Sequence, residues 1–231
     1  MKRKAWIIGA STGIGAAVAD ELAAKGWEVV RSSRSQGEIR IDVSDDASVV
    51  EAANEYQEVH GAFDLVLVMA GFWQRMSAKH FDLEVFKEHN NTNNVGLARC
   101  VAAVLPKMIA QNSGTLIGVS SVAGFRGLPG ASGYGPSKAA QINFLESLRT
   151  DLQDTNVLIQ TVSPGFVKTP MTDVNTFPMP FIISAEKAAK IIVKGIEKKK
   201  AEIVFPIPMA ISMKLSRLVP ASIWPKLFKK G

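Results

Sequence analysis

The sequence predicts one doubly wound α/β domain built on a seven-stranded parallel sheet. Short segments of consecutive apolar residues recur along the chain, as is typical of strands buried on both faces of a parallel sheet. Segments with the 3.6-residue periodicity of helices separate most of these strands. The first strand also runs directly into a glycine-rich turn and a helix, which is how a βαβ unit begins.

Length, composition and charge are those of a globular domain. The chain has 231 residues, of which 47% are hydrophobic, enough for a full core and too many for a disordered chain. Of its 27 Lys and Arg residues, eleven follow residue 183, where only three of the 21 acidic residues lie. The net charge of +6 therefore belongs to the C-terminal part. With no nucleic-acid motif present, we expect no nucleic-acid partner.

Cysteine usage and hydropathy indicate the compartment. Cys100 is the one cysteine, so it forms no internal disulfide, and no Cys/His cluster has the spacing of metal ligands. We therefore expect no bound metal and a reducing, cytoplasmic environment. The apolar start of the chain breaks at Gly9, which indicates a strand rather than a signal peptide. No apolar run approaches the roughly 20 residues of a membrane span.

The glycine-rich turn after the first strand, residues 4–8, predicts a phosphate-binding site. Over residues 9–15, glycines stand where backbone N–H groups and a helix N-terminus can approach a pyrophosphate. The predicted cofactor contacts in this turn are Gly9, Ser11, Thr12, Gly13, Ile14 and Gly15. The same spacing also suits an ordinary tight turn between a strand and a helix.

The second strand, residues 27–32, ends in Ser33 and Arg34. An acidic residue at this place would bind the 2′-hydroxyl of an adenosine ribose, whereas an arginine accommodates a 2′-phosphate. Because the acid is missing and a guanidinium fork suits phosphate, we predict that Ser33 and Arg34 contact NADP in preference to NAD. A solvated loop arginine is the alternative.

The connection from the second to the third strand is short. Only seven residues, 35–41, separate Arg34 from Asp42, too few for a crossover helix. We therefore predict that a bare loop leads to the third strand, residues 38–41. Asp42 then either contacts the adenosine end of the cofactor or only caps the following helix.

The middle of the chain predicts a fourth strand and an interrupted helix. Residues 64–69 form an apolar strand that ends at Ala70 and Gly71, where a side chain would collide with a cofactor. Trp73, in the following loop, either lines a substrate pocket or packs against the core. The helical region of residues 83–111 contains four asparagines between positions 90 and 94, which disfavour a regular helix and predict a kink.

The segment after the fifth strand, residues 115–120, carries the residues with the clearest chemistry. Tyr134 and Lys138 stand four residues apart on a helix predicted to extend to residue 153, so their side chains share one face. An adjacent ammonium favours a phenolate, so this pair can exchange a proton near neutral pH. A surface tyrosine beside a solvated lysine is the alternative.

These motifs, in this order, resemble those of the short-chain dehydrogenase/reductase family over residues 4 to about 205. The matching segments are the glycine loop of residues 9–15, Asp42-Val43, Asn93-Asn-Val-Gly96, Ser121 thirteen residues before Tyr134, the Tyr134 and Lys138 pair, and the PGFVKTP loop of residues 164–170. The resemblance implies a Rossmann-like catalytic domain over residues 1–205, with strand order 3-2-1-4-5-6-7. It also implies an NAD(P)-dependent oxidoreductase that interconverts a ketone or aldehyde and an alcohol, as a homodimer or homotetramer.

The family pattern implies a role for each catalytic residue. Tyr134 is expected to be the acid/base at the carbonyl oxygen of the substrate, and Ser121 is expected to hydrogen-bond the same oxygen. Lys138 is expected to lower the pKa of Tyr134 and to hold the nicotinamide ribose. Asn93 is expected to bind, through its backbone, a water that relays protons to Lys138.

The same pattern implies further contacts and two departures. The additional cofactor contacts, besides Asp42, Tyr134 and Lys138, are Val43, Ala70, Gly71, Pro164, Gly165, Val167 and Thr169. Residues 170–183 fill the place of the variable substrate lid, and the expected substrate pocket includes Trp73, Phe166 and Met171. Met69 replaces the asparagine that buttresses the central strand in the family, and the crossover helix between strands two and three is missing.

Residues 206–231 form an apolar and basic tail that departs from the compact ending of the family. Pro220 and Pro225 break it, and its basic residues are Lys214, Arg217, Lys226, Lys229 and Lys230. Three arrangements fit this composition: peripheral contact with an anionic membrane that buries Trp224 and Phe228, a cover over the active site, or packing in a homo-oligomer.

The apolar lid and tail favour a hydrophobic substrate. Two other classes of function stay open at this point. One is a non-catalytic NADP-binding sensor or scaffold, which the loss of the family asparagine at Met69 favours slightly. The other is a peripheral membrane protein that acts through its basic tail.

Overall fold

The computed structural model describes residues 2–228 and confirms the doubly wound α/β fold. Seven strands form one parallel sheet in the predicted order, β3-β2-β1-β4-β5-β6-β9. These strands are β1 (Lys4–Ile8), β2 (Glu28–Ser33), β3 (Ile39–Arg40), β4 (Leu65–Val68), β5 (Gly114–Val119), β6 (Val157–Pro164) and β9 (Glu202–Phe205). Two further short strands, β7 (Val167–Lys168) and β8 (Ile183–Ser184), pair with each other outside this sheet.

Helices cover both faces of the sheet. They are α1 (Gly13–Ala24), α2 (Asp46–His60), α3 (Leu83–His89), α4 (Gly96–Ala110), α5 (Tyr134–Asp151), α6 (Pro170–Asp173), α7 (Ala185–Glu197) and α8 (Ile207–Ser216). Buried side chains of α2, α4 and α5 form one core with one face of the sheet, and those of α1 and α7 form a second core with the other face. Residues of β1 alternate between the cores, since Trp6 enters the first and Ile7 the second.

The connection between β2 and β3 contains no helix, as its length predicts. Gly37 in this connection has φ of +115°, and a Cβ there would lie 2.9 Å from the carbonyl carbon of Arg31. The chain turns back this tightly because position 37 has no side chain. β3 is shorter than the predicted residues 38–41, since Glu38 still belongs to the turn and donates its N–H to the Arg31 carbonyl at 2.8 Å.

The predicted kink is present as a π-helical turn, Asn90–Val95, between α3 and α4. Two of its asparagines bond locally: Asn90 Nδ2 donates to the Phe86 carbonyl at 2.9 Å, and Asn91 Oδ1 accepts from Arg99 Nη1 at 2.9 Å. A π turn inserts a residue into the helix and changes which side chains face inward. Here it turns Asn93 into the interior, where it is fully buried.

The described part of the tail, residues 206–228, packs against the loop that follows β5. Arg126 Nη2 donates to the Val219 carbonyl at 2.9 Å, and Trp224 Nε1 donates to the Gly127 carbonyl at 2.7 Å. Lys229 and Lys230 lie outside the described residues.

The inner face of α8 joins a small core near the same loop. Met209 packs there with Val122 and Phe125, and the partly buried Phe166 packs against these three residues. Within residues 2–228, no helix has the length and apolar character needed to cross a membrane.

Candidate active site

A cavity of about 390 Å³ opens at the carboxyl ends of the central strands. Of the residues predicted from the sequence, it is lined by Gly9, Ser11, Thr12, Gly13, Ile14, Gly15, Ser33, Arg34, Asp42, Val43, Ala70, Gly71, Ser121, Tyr134, Lys138, Pro164, Gly165, Val167, Thr169 and Met171. Three predicted site residues, Asn93, Trp73 and Phe166, lie beside the cavity and not in its lining. The structure thus brings together segments that are more than 150 residues apart in the sequence.

The glycine turn forms a cradle at one end of this cavity. Gly9 has φ of +95°, and a Cβ on it would lie 2.6 Å from the backbone nitrogen of Ala70. A Cβ on Gly15 would lie 3.0 Å from the carbonyl carbon of Gly9 and closer still to its oxygen. The side chain of Thr12, at the start of α1, makes no capping hydrogen bond. The helix N-terminus therefore keeps N–H groups free for an anion, and the cradle fits the pyrophosphate of a dinucleotide.

Tyr134, Ser121 and Lys138 meet at the other end of the cavity. Tyr134 begins α5, and Lys138 lies one turn further along, with its Nζ 5.5 Å from the centroid of the Tyr134 ring. The Ser121 hydroxyl accepts a hydrogen bond from Ala123 N–H at 3.1 Å and donates to the Pro164 carbonyl over a long 3.4 Å. The hydroxyl hydrogen of Ser121 is thus held weakly, and Ser121 can donate it to another acceptor instead.

The family of this chain is identified by a sequence match that covers about three quarters of its length. The sequence profile described as short chain dehydrogenase matches residues 3–177. The chain belongs to this family. The family binds NAD or NADP, and its sites accept small molecules with a hydroxyl or carbonyl group.

Three relatives of this short-chain dehydrogenase show how far the likeness extends. An uncharacterized oxidoreductase of Myxococcus xanthus is 35% identical over 94% of this chain and 93% of its own. The 3-oxoacyl-[acyl-carrier-protein] reductase FabG of Vibrio harveyi is 29% identical over 73% of this chain and 75% of its own. A short-chain dehydrogenase/reductase of Burkholderia phymatum, solved with NAD, superposes with a TM-score of 0.86 at 22% identity, covering 94% of this chain and 93% of that one. This last likeness shows the fold.

Burial sets the protonation of the tyrosine and lysine of this short-chain dehydrogenase. Burial raises the pKa of Tyr134 to about 12, although the Ser121 hydroxyl opposes the rise, and burial lowers the pKa of Lys138 to about 7. The expected lowering of the Tyr134 pKa by Lys138 is not what this arrangement gives. The Lys138 ammonium lies 5.5 Å from the centroid of the Tyr134 ring, but it donates to the Val119 carbonyl at 2.9 Å and makes no hydrogen bond to the phenol. The phenol is therefore protonated at neutral pH, as a proton donor must be.

Asn93 fixes the loop after β4 with its side chain. Its Oδ1 accepts from Phe72 N–H at 2.7 Å, and its Nδ2 donates to the Phe72 carbonyl at 3.1 Å and to Ser137 Oγ at 3.0 Å. The backbone carbonyl of Asn93, where the family resemblance places a water, accepts from Nε2 of Gln141 at 2.6 Å. A carbonyl oxygen has a second lone pair, so the water expected there stays a prediction.

The adenosine end of the cavity carries an arginine and an aspartate. Arg34 is exposed at the cavity edge, and no acidic residue ends β2 beside it. Burial acts to raise the pKa of Asp42, but hydrogen bonds from Ser44 and the charges of Arg34 and Arg99 bring that pKa below its usual value. Asp42 Oδ1 accepts from both Ser44 N–H and Ser44 Oγ. Asp42 thus shapes the turn before α2 as well as lining the cavity.

The hydroxyl of Ser33 is committed to the loop that it begins. It donates to the Gln36 carbonyl at 2.6 Å and accepts from Gln36 N–H at 2.9 Å. Ser33 therefore shapes the turn beside Arg34, and its predicted contact with the cofactor stays a prediction.

The predicted substrate residues join the catalytic end to the lid. The Trp73 ring meets the Tyr134 ring edge to face at 5.0 Å, and Trp73 Nε1 donates to Asn175 Oδ1 in the lid at 3.0 Å. Phe166 packs on Phe177 of the lid, with ring centroids 6.0 Å apart. These aromatic contacts make the rim of the site apolar.

His89 is a residue that sequence reasoning left without a role. It is fully buried beneath the site, with its ring 6.0 Å from that of Tyr134, and burial lowers its pKa. Its Nδ1 donates to the Val85 carbonyl at 2.8 Å and its Nε2 accepts from Gln74 N–H at 3.2 Å. Both nitrogens are thus used to support the loop that carries Trp73. The one feature of the sequence that points to a role for His89 is its position immediately before the asparagine run.

Proposed function

We propose that this protein is an NADP-dependent oxidoreductase that interconverts a ketone or aldehyde and an alcohol, with a hydrophobic substrate. One observation supports this best: Tyr134, Ser121 and Lys138 share a cavity with a glycine cradle that fits a pyrophosphate. A short-chain dehydrogenase that had lost turnover would have no need to keep all three groups around one point. The reaction class is that of the family, and the preference for NADP and the hydrophobic substrate are what we add to it.

Tyr134, Ser121 and Lys138 each have a distinct role in a carbonyl reduction. In this proposal Tyr134 donates its phenolic proton to the carbonyl oxygen, and Ser121 donates a hydrogen bond to the same oxygen and stabilises its developing charge. When Lys138 is protonated, its charge, 5.5 Å from the centroid of the Tyr134 ring, stabilises the phenolate that remains. The nicotinamide supplies the hydride when it is bound. The oxidation of an alcohol uses the same groups with the proton moving the other way.

Turnover over a panel of substrates tests this proposal. NADPH oxidation is followed by absorbance with ketones and aldehydes of increasing chain length, and kcat/KM is expected to rise with length, because each buried methylene contributes about 0.8 kcal/mol. Tight binding of NADPH without oxidation by any member of the panel would instead identify the non-catalytic sensor or scaffold.

The preference for NADP rests on Arg34. Its guanidinium lies exposed at the edge of the cavity, and Ser33 leaves space beside it. A hydrogen bond between a charged donor and a phosphate is worth about 1.5–3 kcal/mol, so Arg34→Ala should weaken NADPH binding about ten- to hundredfold and NADH binding far less. Cofactor fluorescence titration measures both dissociation constants. Arg40→Ala, an exposed arginine outside the cavity lining, is the matched control, and equal losses for the two cofactors in Arg34→Ala would refute the role of Arg34.

A second candidate function rests on the outer face of α8. Three apolar side chains at helical spacing are exposed there, Ile207 at 71%, Ile211 at 55% and Leu215 at 57%, and Leu218, just after the helix, is exposed at 79%. An apolar stripe on a segment rich in lysine fits the surface of an anionic membrane, and we propose peripheral contact through residues 206–231. A homodimer or homotetramer and a cytoplasmic location stay predictions, and the same stripe would suit a subunit interface.

Liposome sedimentation separates these uses of α8. The double variant Ile211→Glu with Leu215→Glu should lose most of its binding to phosphatidylserine vesicles, while Val59→Glu, at an equally exposed apolar position on α2, should keep it. Surface changes of this kind cost little stability. If the wild type does not sediment with the vesicles, membrane contact is excluded. A smaller mass of the double variant in analytical ultracentrifugation would then assign the stripe to an oligomer.

A further inference from the structure

Gln141 bridges two groups of the catalytic machinery. Its Oε1 accepts from Lys138 Nζ at 2.9 Å, and its Nε2 donates to the backbone carbonyl of Asn93 at 2.6 Å. The side chain is 1% exposed, and Lys138 and Asn93 are buried with it. Gln141 lies three residues after Lys138 on α5, so the two side chains stand on the same face of the helix.

The chemistry of the two neighbours explains why an amide fits between them. An ammonium can only donate hydrogen bonds, and a backbone carbonyl can only accept them. A side chain placed between the two must therefore present an acceptor on one side and a donor on the other. The amide of glutamine does this in one fixed orientation, with its oxygen toward Lys138. Leucine would satisfy neither neighbour, and glutamate would satisfy only Lys138.

The surroundings of Lys138 leave Gln141 as its main polar side-chain partner. Its other hydrogen bond goes to the Val119 carbonyl at the end of β5. The titratable groups that face it are Tyr134 on α5 and His89 on α3, and His89 is held neutral by burial. Across residues 2–228, no carboxylate forms an ion pair with Lys138. The position of the ammonium thus depends on one backbone carbonyl and one amide.

We propose that Gln141 is a positioning residue, which holds the Lys138 ammonium with its amide oxygen and occupies the Asn93 carbonyl with its amide nitrogen. The consequence for the reaction rests on the proposed function. An amide does not release a proton in the neutral range, so Gln141 occupies one lone pair of the Asn93 carbonyl without itself passing a proton to Lys138. Gln141 acts through Lys138 and need not touch substrate or cofactor.

Lysine titration by NMR tests the first half of this proposal without any turnover. With ¹³C-labelled lysine, the Lys138 signal should titrate near pH 7, apart from the ordinary lysines near pH 10. Gln141→Glu should raise that midpoint by about one to three pH units, because a carboxylate beside an ammonium favours the charged form. Gln141→Leu should lower it, because the acceptor is lost. Gln160→Leu, which removes another buried glutamine on β6, is the matched control and should leave the midpoint unchanged.

An unchanged midpoint in both Gln141 variants would overturn the proposal, and Gln141→Glu keeps the test available if Gln141→Leu fails to fold. The pH profile of kcat/KM, with the best carbonyl of the panel, should move in the same direction as the NMR midpoint. If the midpoint moves and no carbonyl is reduced, the positioning role stands and the proposed function fails.

A crystal structure with NADP⁺ tests the second half. The amide nitrogen of Gln141 should lie within hydrogen-bonding distance of the Asn93 carbonyl oxygen. A Gln141 side chain turned away from that oxygen, with a water molecule bonded there in place of the amide nitrogen, would overturn this half of the proposal.

Discussion

Replacing Tyr134 by phenylalanine is expected to lower kcat about 10²- to 10⁴-fold, the usual contribution of a positioned general acid. The substitution removes one oxygen and keeps the ring, so the edge-to-face contact with Trp73 at 5.0 Å is retained. Because the phenol is protonated at neutral pH, its loss removes the proton donor while Ser121 still stabilises the charge on the carbonyl oxygen. NADPH binding should change much less than kcat. Stopped-flow and steady-state NADPH oxidation measure the two effects separately.

The chain offers a matched control for this experiment, because Tyr56 is its only other tyrosine. Tyr56 is fully buried in α2, and its hydroxyl has no hydrogen-bond partner among the described residues. Tyr56→Phe therefore makes the same chemical change away from the site and should leave kcat unaltered, with stability equal or slightly higher. Activity that survives in Tyr134→Phe would refute the role of Tyr134 in the mechanism.

Gly15→Ala is expected to abolish tight cofactor binding and to destabilise the fold. A Cβ at position 15 would overlap the carbonyl oxygen of Gly9, so the turn after β1 must open. Overpacking of this kind costs typically 1–3 kcal/mol of the free energy of unfolding. The displaced backbone can no longer present its N–H groups to a pyrophosphate, so the dissociation constant of NADPH should rise at least about tenfold. Urea denaturation and fluorescence titration report these two losses.

Gly127→Ala is the matched control for the glycine turn. A Cβ at this position meets no atom within 4 Å, and its φ does not lie in the left-handed region. This variant should bind NADPH as the wild type does and unfold at the same urea concentration. If Gly15→Ala behaved in the same way, the turn after β1 would not be the cradle that we describe.

The fold could be predicted because several of its strands are apolar runs and the first runs directly into a glycine turn. Residues 65–69 are apolar throughout, and a strand of that kind fits inside a sheet covered on both faces. The seven residues between Arg34 and Asp42 excluded a helix by their length alone. The asparagine run predicted an interruption of a helix, and a π-helical turn stands there.

The residues missed by the sequence are those whose roles depend on that π-helical turn. A periodicity of 3.6 residues does not show which side chains face inward after an inserted residue. The backbone carbonyl of Asn93 therefore meets Gln141 only once α4 and α5 are packed together. His89 likewise supports Trp73 through a loop that has no periodic pattern. The position of the Lys138 ammonium likewise depends on packing, since its acceptors lie on β5 and at Gln141.

The contact between Trp73 and Asn175 makes the site visible to spectroscopy without a label. The Trp73 indole is bonded to the lid on one side and lies against Tyr134 on the other, so movement of residues 170–183 changes the polarity around it. Of the other three tryptophans, Trp6 is buried in the core, Trp27 packs under the Arg3 guanidinium and Trp224 lies on the tail. A difference spectrum against Trp73→Phe therefore isolates one emitter, whose emission wavelength reports any change in its contact with residues 170–183.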